Sequence, residues 1–147
     1  MAAVRQAEVI WTGDLMSGSG VVSAVSSHVF EKLPVSWAAR TEDSGGKTSP
    51  EELIAAAHAS CFVMALSGGL SKSGAKPERL EVIAKVTFDN AGGNWKVVSS
   101  ALTVRGWVPG MEAAAFRQAA DGAKDNCPVS QALKGNVALS VEAALQE

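Results

Sequence analysis

A chain of 147 residues with 47% hydrophobic and 19% charged side chains has the apolar content of one folded domain and too little charge for wholesale disorder. Thirteen basic against fifteen acidic residues give a net charge of -2, which leaves no surplus of positive charge for phosphates and argues against nucleic acid as a partner. Met1 to Gln6 lacks a signal-peptide pattern, and no apolar run reads as approaching the roughly 20 residues of a membrane span, so a cytoplasmic single domain over residues 1–147 with no membrane partner is expected.

Taken in chain order, Glu8-Val9-Ile10-Trp11, the Gly13-Asp14 turn and Val21-Val22-Ser23-Ala24-Val25 spell an N-terminal β-hairpin. Val29 to Trp37 is a further extended stretch, followed by the polar loop Glu42-Asp43-Ser44-Gly45-Gly46-Lys47. A helix then begins at Pro50. Ser49 is placed to cap it, Pro50 suits its first position, and Glu52 completes a capping box. Apolar nearly all round from Leu53 to Leu66, this helix is expected to lie inside the molecule and to run on to Ser73, with Gly74 ending it.

Arg79 to Asp89 and Trp95 to Val108 alternate in polarity around Asn90-Ala91-Gly92-Gly93-Asn94, the pattern of a long antiparallel hairpin. Met111 to Lys124 has helical spacing. Pro128 disfavours helical geometry at Cys127, so a second short helix starts at Pro128, and Asn136 to Ala143 supplies a last strand. The order is hairpin, helix, hairpin, helices, strand: an α+β chain without the strand–helix alternation of a parallel sheet.

Two cysteines, Cys61 and Cys127, stand 66 residues apart, with only His28 and His58 as further soft ligands. That set builds neither a structural zinc site nor a disulfide-stapled secreted fold, and neither metal nor cofactor is expected. Buried thiols or redox chemistry remain. Cys61 falls on one helical stripe with Ile54, Ala57, Met64 and Ala65, which predicts a buried thiol whose pKa is raised by its apolar surroundings. A thiolate there needs a cation from elsewhere. Arg40 can supply it and Glu51 can aim the guanidinium, although the same two residues also read as a solvated charge and a carboxylate favouring a helix N-terminus. Cys127 sits at the start of the last helix, a position that favours thiolate and, by itself, nominates this cysteine as the attacking sulfur. His58 reads as a hydrogen-bonded interior residue with no triad partner, while Trp37, Phe62 and Met64 read equally as core or as an apolar pocket wall.

The segment Thr48-Ser49-Pro50-Glu51-Glu52-Leu53-Ile54-Ala55-Ala56-Ala57-His58-Ala59-Ser60-Cys61-Phe62 closely resembles the signature of the OsmC/Ohr family of peroxide-reducing proteins. Cys127-Pro128-Val129-Ser130-Gln131-Ala132-Leu133 resembles that family's second cysteine motif, and Trp11-Thr12-Gly13-Asp14 its first strand and turn. The resemblance implies antiparallel sheets wrapped around two central helices in an intertwined homodimer. It also implies that Cys61 attacks the peroxide, that Cys127 resolves the sulfenic acid as a Cys61–Cys127 disulfide, that Glu51 orients an arginine, and that this arginine is Arg40, as in the OsmC branch. The other branch carries its arginine in the first hairpin, where this chain reads Gly13-Asp14-Leu15-Met16-Ser17-Gly18. The implied partners are an organic hydroperoxide and a dithiol reductant such as a dihydrolipoyl protein. Two rivals are a redox sensor or stress-response binding protein with little turnover, and a cysteine hydrolase using His58.

Overall fold

Short β-branched runs punctuated by turn residues pair with their neighbours in sequence, and the N-terminal third does so. In the computed structural model, which describes all of residues 1–147, β1 (Ala7–Thr12) pairs antiparallel with β2 (Ser19–Ala24), and β2 with β3 (Leu33–Val35). Asp14 closes the first turn by accepting the Met16 and Ser17 backbone N–H groups at 2.9 and 2.8 Å. The extended stretch read from Val29 to Trp37 shrinks to β3, because Ser36 caps a five-residue helix, α1 (Trp37–Thr41), by accepting the Ala39 N–H. The chain clusters into two compact units, Met1–Leu53 and Ile54–Glu147.

Helix α2 (Pro50–Lys72) starts where its cap signals put it: Ser49 Oγ accepts the Glu52 N–H at 3.2 Å, a bond worth about 1 kcal/mol. The second half of the expected capping box is replaced, since the Glu52 carboxylate accepts from the Thr48 hydroxyl at 2.7 Å instead of the Ser49 N–H. Gly74, at φ 85°, ends the helix in the left-handed region, and the Ala75 N–H reaches back to Leu70 O.

Burial of α2 departs from expectation. Its buried stripe is His58, Phe62, Leu66 and Leu70, one residue per turn, whereas Cys61 is half-buried and Met64 is 71% exposed. One chain covers one side of an all-apolar helix and leaves the other bare. The helix is also long and apolar enough to cross a membrane by length and composition, contrary to the sequence reading. Phe62, Leu66 and Leu70 instead belong to the buried cluster of the C-terminal unit, as the core helix of a soluble fold does.

That unit's sheet is built on the long hairpin of β4 (Arg79–Ala91) and β5 (Asn94–Trp107), with one register shift between Thr87 and Phe88. After β5 come α3 (Ala113–Asn126), α4 (Pro128–Leu133) and β6 (Ala138–Gln146). Here the all-antiparallel expectation fails: β6 lies parallel to β5, because the two intervening helices form a crossover long enough to return the chain to the same end of the sheet. Leu102 and Val104 of β5 and Phe116, Ala120 and Ala123 of α3 share the core with α2.

Gly106 lets the Phe116 ring lie directly on β5, for a Cβ there would overlap the ring. Gly106→Ala is expected to lower stability by about 1–3 kcal/mol through overpacking, measured by urea denaturation; an unchanged midpoint would show that the ring moves aside freely.

Candidate active site

In the C-terminal unit the two sulfurs meet. Cys61 projects from the middle of α2, and Cys127 sits at the break where it is at once the C-cap of α3 and the N-cap of α4. Pro128 holds it at φ -62°, ψ 124°, an extended backbone that both helices need to end there. The two cysteine side chains hydrogen-bond each other, both as free thiols. The Val129 backbone N–H faces both sulfurs, and the Ser130 backbone N–H and hydroxyl face Cys127.

These surroundings split the pair. Burial pushes the Cys61 thiol up and contact with Cys127 pushes it further, only partly offset by the Val129 N–H. Burial also pushes Cys127 up, but the Cys61 thiol, the two Ser130 donors and the Val129 N–H together outweigh it and bring Cys127 below its ordinary value. The shared proton therefore rests on Cys61, as the helix-start position of Cys127 led one to expect. Access runs the other way: Cys127 is fully buried and Cys61 half-buried.

In the N-terminal unit the other two candidate residues also meet. Arg40, in the last turn of α1, donates from Nε and Nη2 to Glu51 Oε1, each at 2.9 Å, and its guanidinium lies 5.8 Å from the centre of the Trp37 ring. The Glu51 side chain is 8% exposed, and its second oxygen, Oε2, is buried without a hydrogen-bond partner. Arg40 and Trp37 border a cavity of about 360 Å3 whose remaining wall is mostly apolar, including Trp11, Leu15, Val22 and Leu53. Trp37 is thus a pocket residue, Phe62 is core, and Met64 lies on the surface of the chain.

His58 is the residue whose surroundings the sequence did not disclose. Fully buried, it bonds through Nδ1 to Ser100 Oγ at 2.6 Å and through Nε2 to Ser130 Oγ at 2.8 Å. Both ring nitrogens are occupied, so neither is free to serve as a hydrolase base for Cys61. Ser100 and Ser130 went unremarked. A signal existed in β5, where Ser100 occupies the same inward-facing series as Leu102 and Val104 and so had to be a partnered polar group. No three His, Cys, Asp or Glu side chains gather to hold a metal ion.

Comparison with known proteins agrees with this arrangement. The OsmC-like protein family profile matches residues 42–142. Peroxiredoxin OsmC of Escherichia coli K12 is 37% identical over 142 residues, covering 97% of this chain and 98% of the relative. The organic hydroperoxide resistance protein of Xanthomonas axonopodis pv. citri is 31% identical over 103 residues, covering 68% and 69%. The fold is that of the organic hydroperoxide resistance protein OhrB of Bacillus subtilis, with a TM-score of 0.72 at 24% identity over 95% of this chain and 98% of that one. The chain belongs to the OsmC-like family and, with it, to the cysteine-based peroxidases.

Burial lowers the His58 pKa below the ordinary 6.5, so as pH falls through 6.5 the unfolded chain takes up a proton that the folded ring refuses. Stability should fall on acidification from that point by up to about 1.4 kcal/mol per pH unit, until the folded ring itself protonates. Urea midpoints at several pH values should therefore drop more steeply for the wild type than for His58→Gln, and parallel profiles would refute the assignment.

Proposed function

We propose that the chain is a cytoplasmic thiol-dependent peroxidase that reduces organic hydroperoxides, and hydrogen peroxide more weakly, through Cys61 and Cys127. The observation that carries this reading is the direct contact of two reduced sulfurs, one partly open and one sealed. Only Cys61 is accessible to a peroxide with an organic body, which favours it as the attacking sulfur even though the resting proton sits on it.

The Cys61 thiolate takes the outer oxygen of the hydroperoxide; the O–O bond breaks, and the alkoxide leaves and picks up a proton as the alcohol. Cys61 is now a sulfenic acid. The Cys127 sulfur attacks it, the S–O bond breaks, and hydroxide leaves as water once protonated, giving a disulfide that protects Cys61 from further oxidation. A dithiol, such as a dihydrolipoyl group, restores the pair.

Forming the first thiolate against its raised pKa calls for a cation. Arg40, aimed by Glu51, fills that role in the proposal, its guanidinium stabilising the Cys61 anion and the negative charge that develops on the peroxide. The buried Glu51 Oε2 suits a hydroperoxide O–H as its missing donor, and the apolar cavity beside Arg40 suits the organic body. An intertwined homodimer with the two α2 helices at its centre would cover the bare side of α2, where Ala57, Met64 and Gly68 are exposed.

Steady consumption of cumene hydroperoxide with dihydrolipoamide tests the proposal. Cys61→Ser should abolish it, and Arg40→Met should lower kcat/KM by about 10²–10³-fold while raising the pH at which Cys61 is alkylated. Full activity of Cys61→Ser would refute the mechanism. A single oxidation per chain with no turnover under any dithiol would instead make the protein a redox sensor.

A further inference from the structure

The peroxidase chemistry leaves one buried polar assembly unused. His58 from α2, Ser100 from β5 and Ser130 from α4 are fully or almost fully buried, and their hydrogen bonds form an unbroken line that ends on the Cys127 sulfur. Around them the core is Phe62, Leu66, Leu102 and Val104. Three buried polar groups from three elements stabilise a core less well than apolar residues of the same volume would, unless the ordering they impose has a use.

Counting hydrogens shows what the ordering does. A serine hydroxyl has one hydrogen and a neutral imidazole has one N–H. When Ser130 gives its hydrogen to the Cys127 sulfur, its oxygen is left to accept from His58, so Nε2 carries the ring proton and Nδ1 accepts from the Ser100 hydroxyl. One protonation pattern then runs from Ser100 through His58 and Ser130 to sulfur, with every hydrogen pointing toward Cys127. That pattern stabilises a Cys127 thiolate. Without His58 the Ser130 hydroxyl is free to turn away.

We propose that His58, acting through Ser130, is a positioning residue for the resolving step: it locks the Ser130 hydroxyl onto Cys127 and so keeps that sulfur a nucleophile toward the Cys61 sulfenic acid. The step is the one already written, with the new S–S bond replacing the S–O bond and the hydroxyl leaving as water. His58 exchanges no proton with the surroundings and touches neither peroxide nor Cys61. The proposal rests on Cys127 being the resolving cysteine.

The test separates attack from closure. Rapid mixing of the reduced protein with one equivalent of hydroperoxide, with dimedone trapping of the sulfenic acid at timed intervals, gives both rates. Ser130→Ala and His58→Leu should slow closure by about tenfold or more, as loss of a hydrogen bond to a charged group implies, while leaving attack at Cys61 within about twofold. His58→Gln, whose amide N–H reaches the position of Nε2, should recover most of the closure rate. The double variant His58→Leu/Ser130→Ala should close no more slowly than Ser130→Ala alone, because the two residues act as one unit. Wild-type closure rates in both single variants, or slowing that multiplies in the double variant, would overturn the proposal. Ser130→Ala, which removes a single hydroxyl, decides the matter if His58→Leu fails to fold. A wild-type chain that never joins Cys61 to Cys127 would overturn the resolving role of Cys127 and this proposal with it, whereas normal wild-type closure with unaffected variants would overturn this proposal alone.

Discussion

The contact between Cys61 and Cys127 requires two unrelated backbone features to coincide. One sulfur comes from the middle of a 23-residue helix that nothing interrupts, the other from a break between two helices that Pro128 enforces. Seating that break beside α2 brings together two groups that would each be ordinary alone: an apolar mid-helix cysteine and a cysteine at a helix boundary. Their proximity turns burial from a reason for inertness into a redox pair, since the second sulfur is at hand when the first is oxidised.

Burial and charge then divide the labour. The sulfur with the lower pKa is sealed in the core, and the sulfur with access to substrate is held protonated by the same surroundings. Such a pair is quiescent until something lowers the pKa of the accessible member. A guanidinium fixed by a buried carboxylate is suited to that task because it cannot lose its proton and loses little freedom on binding an anion. Glu51 and Cys61 lie on the same helix, so the residue that aims Arg40 and the residue that Arg40 is proposed to activate share one rigid element.

Local chemistry made much of this legible in the sequence. Ser49-Pro50 announced the start of α2, Gly74 its end, and Cys127-Pro128 the helix break, because each depends on a backbone preference acting within a few residues. What depended on distant partners was not legible. The parallel pairing of β6 follows from the route of two helices across a sheet, and the buried side of α2 could not be chosen from a stripe analysis of a helix with apolar residues on every face. The bonding of His58 was foreseen in kind, but its partners lie 42 and 72 residues away, beyond any local pattern.

The most direct measurement is non-reducing peptide mapping by mass spectrometry after the reduced protein has met one equivalent of cumene hydroperoxide. The chemistry described here requires a cross-linked peptide pair containing Cys61 and Cys127 of the same chain, formed in proportion to the peroxide consumed. Recovery of Cys61 as a sulfinic or sulfonic acid with Cys127 still a free thiol would contradict it.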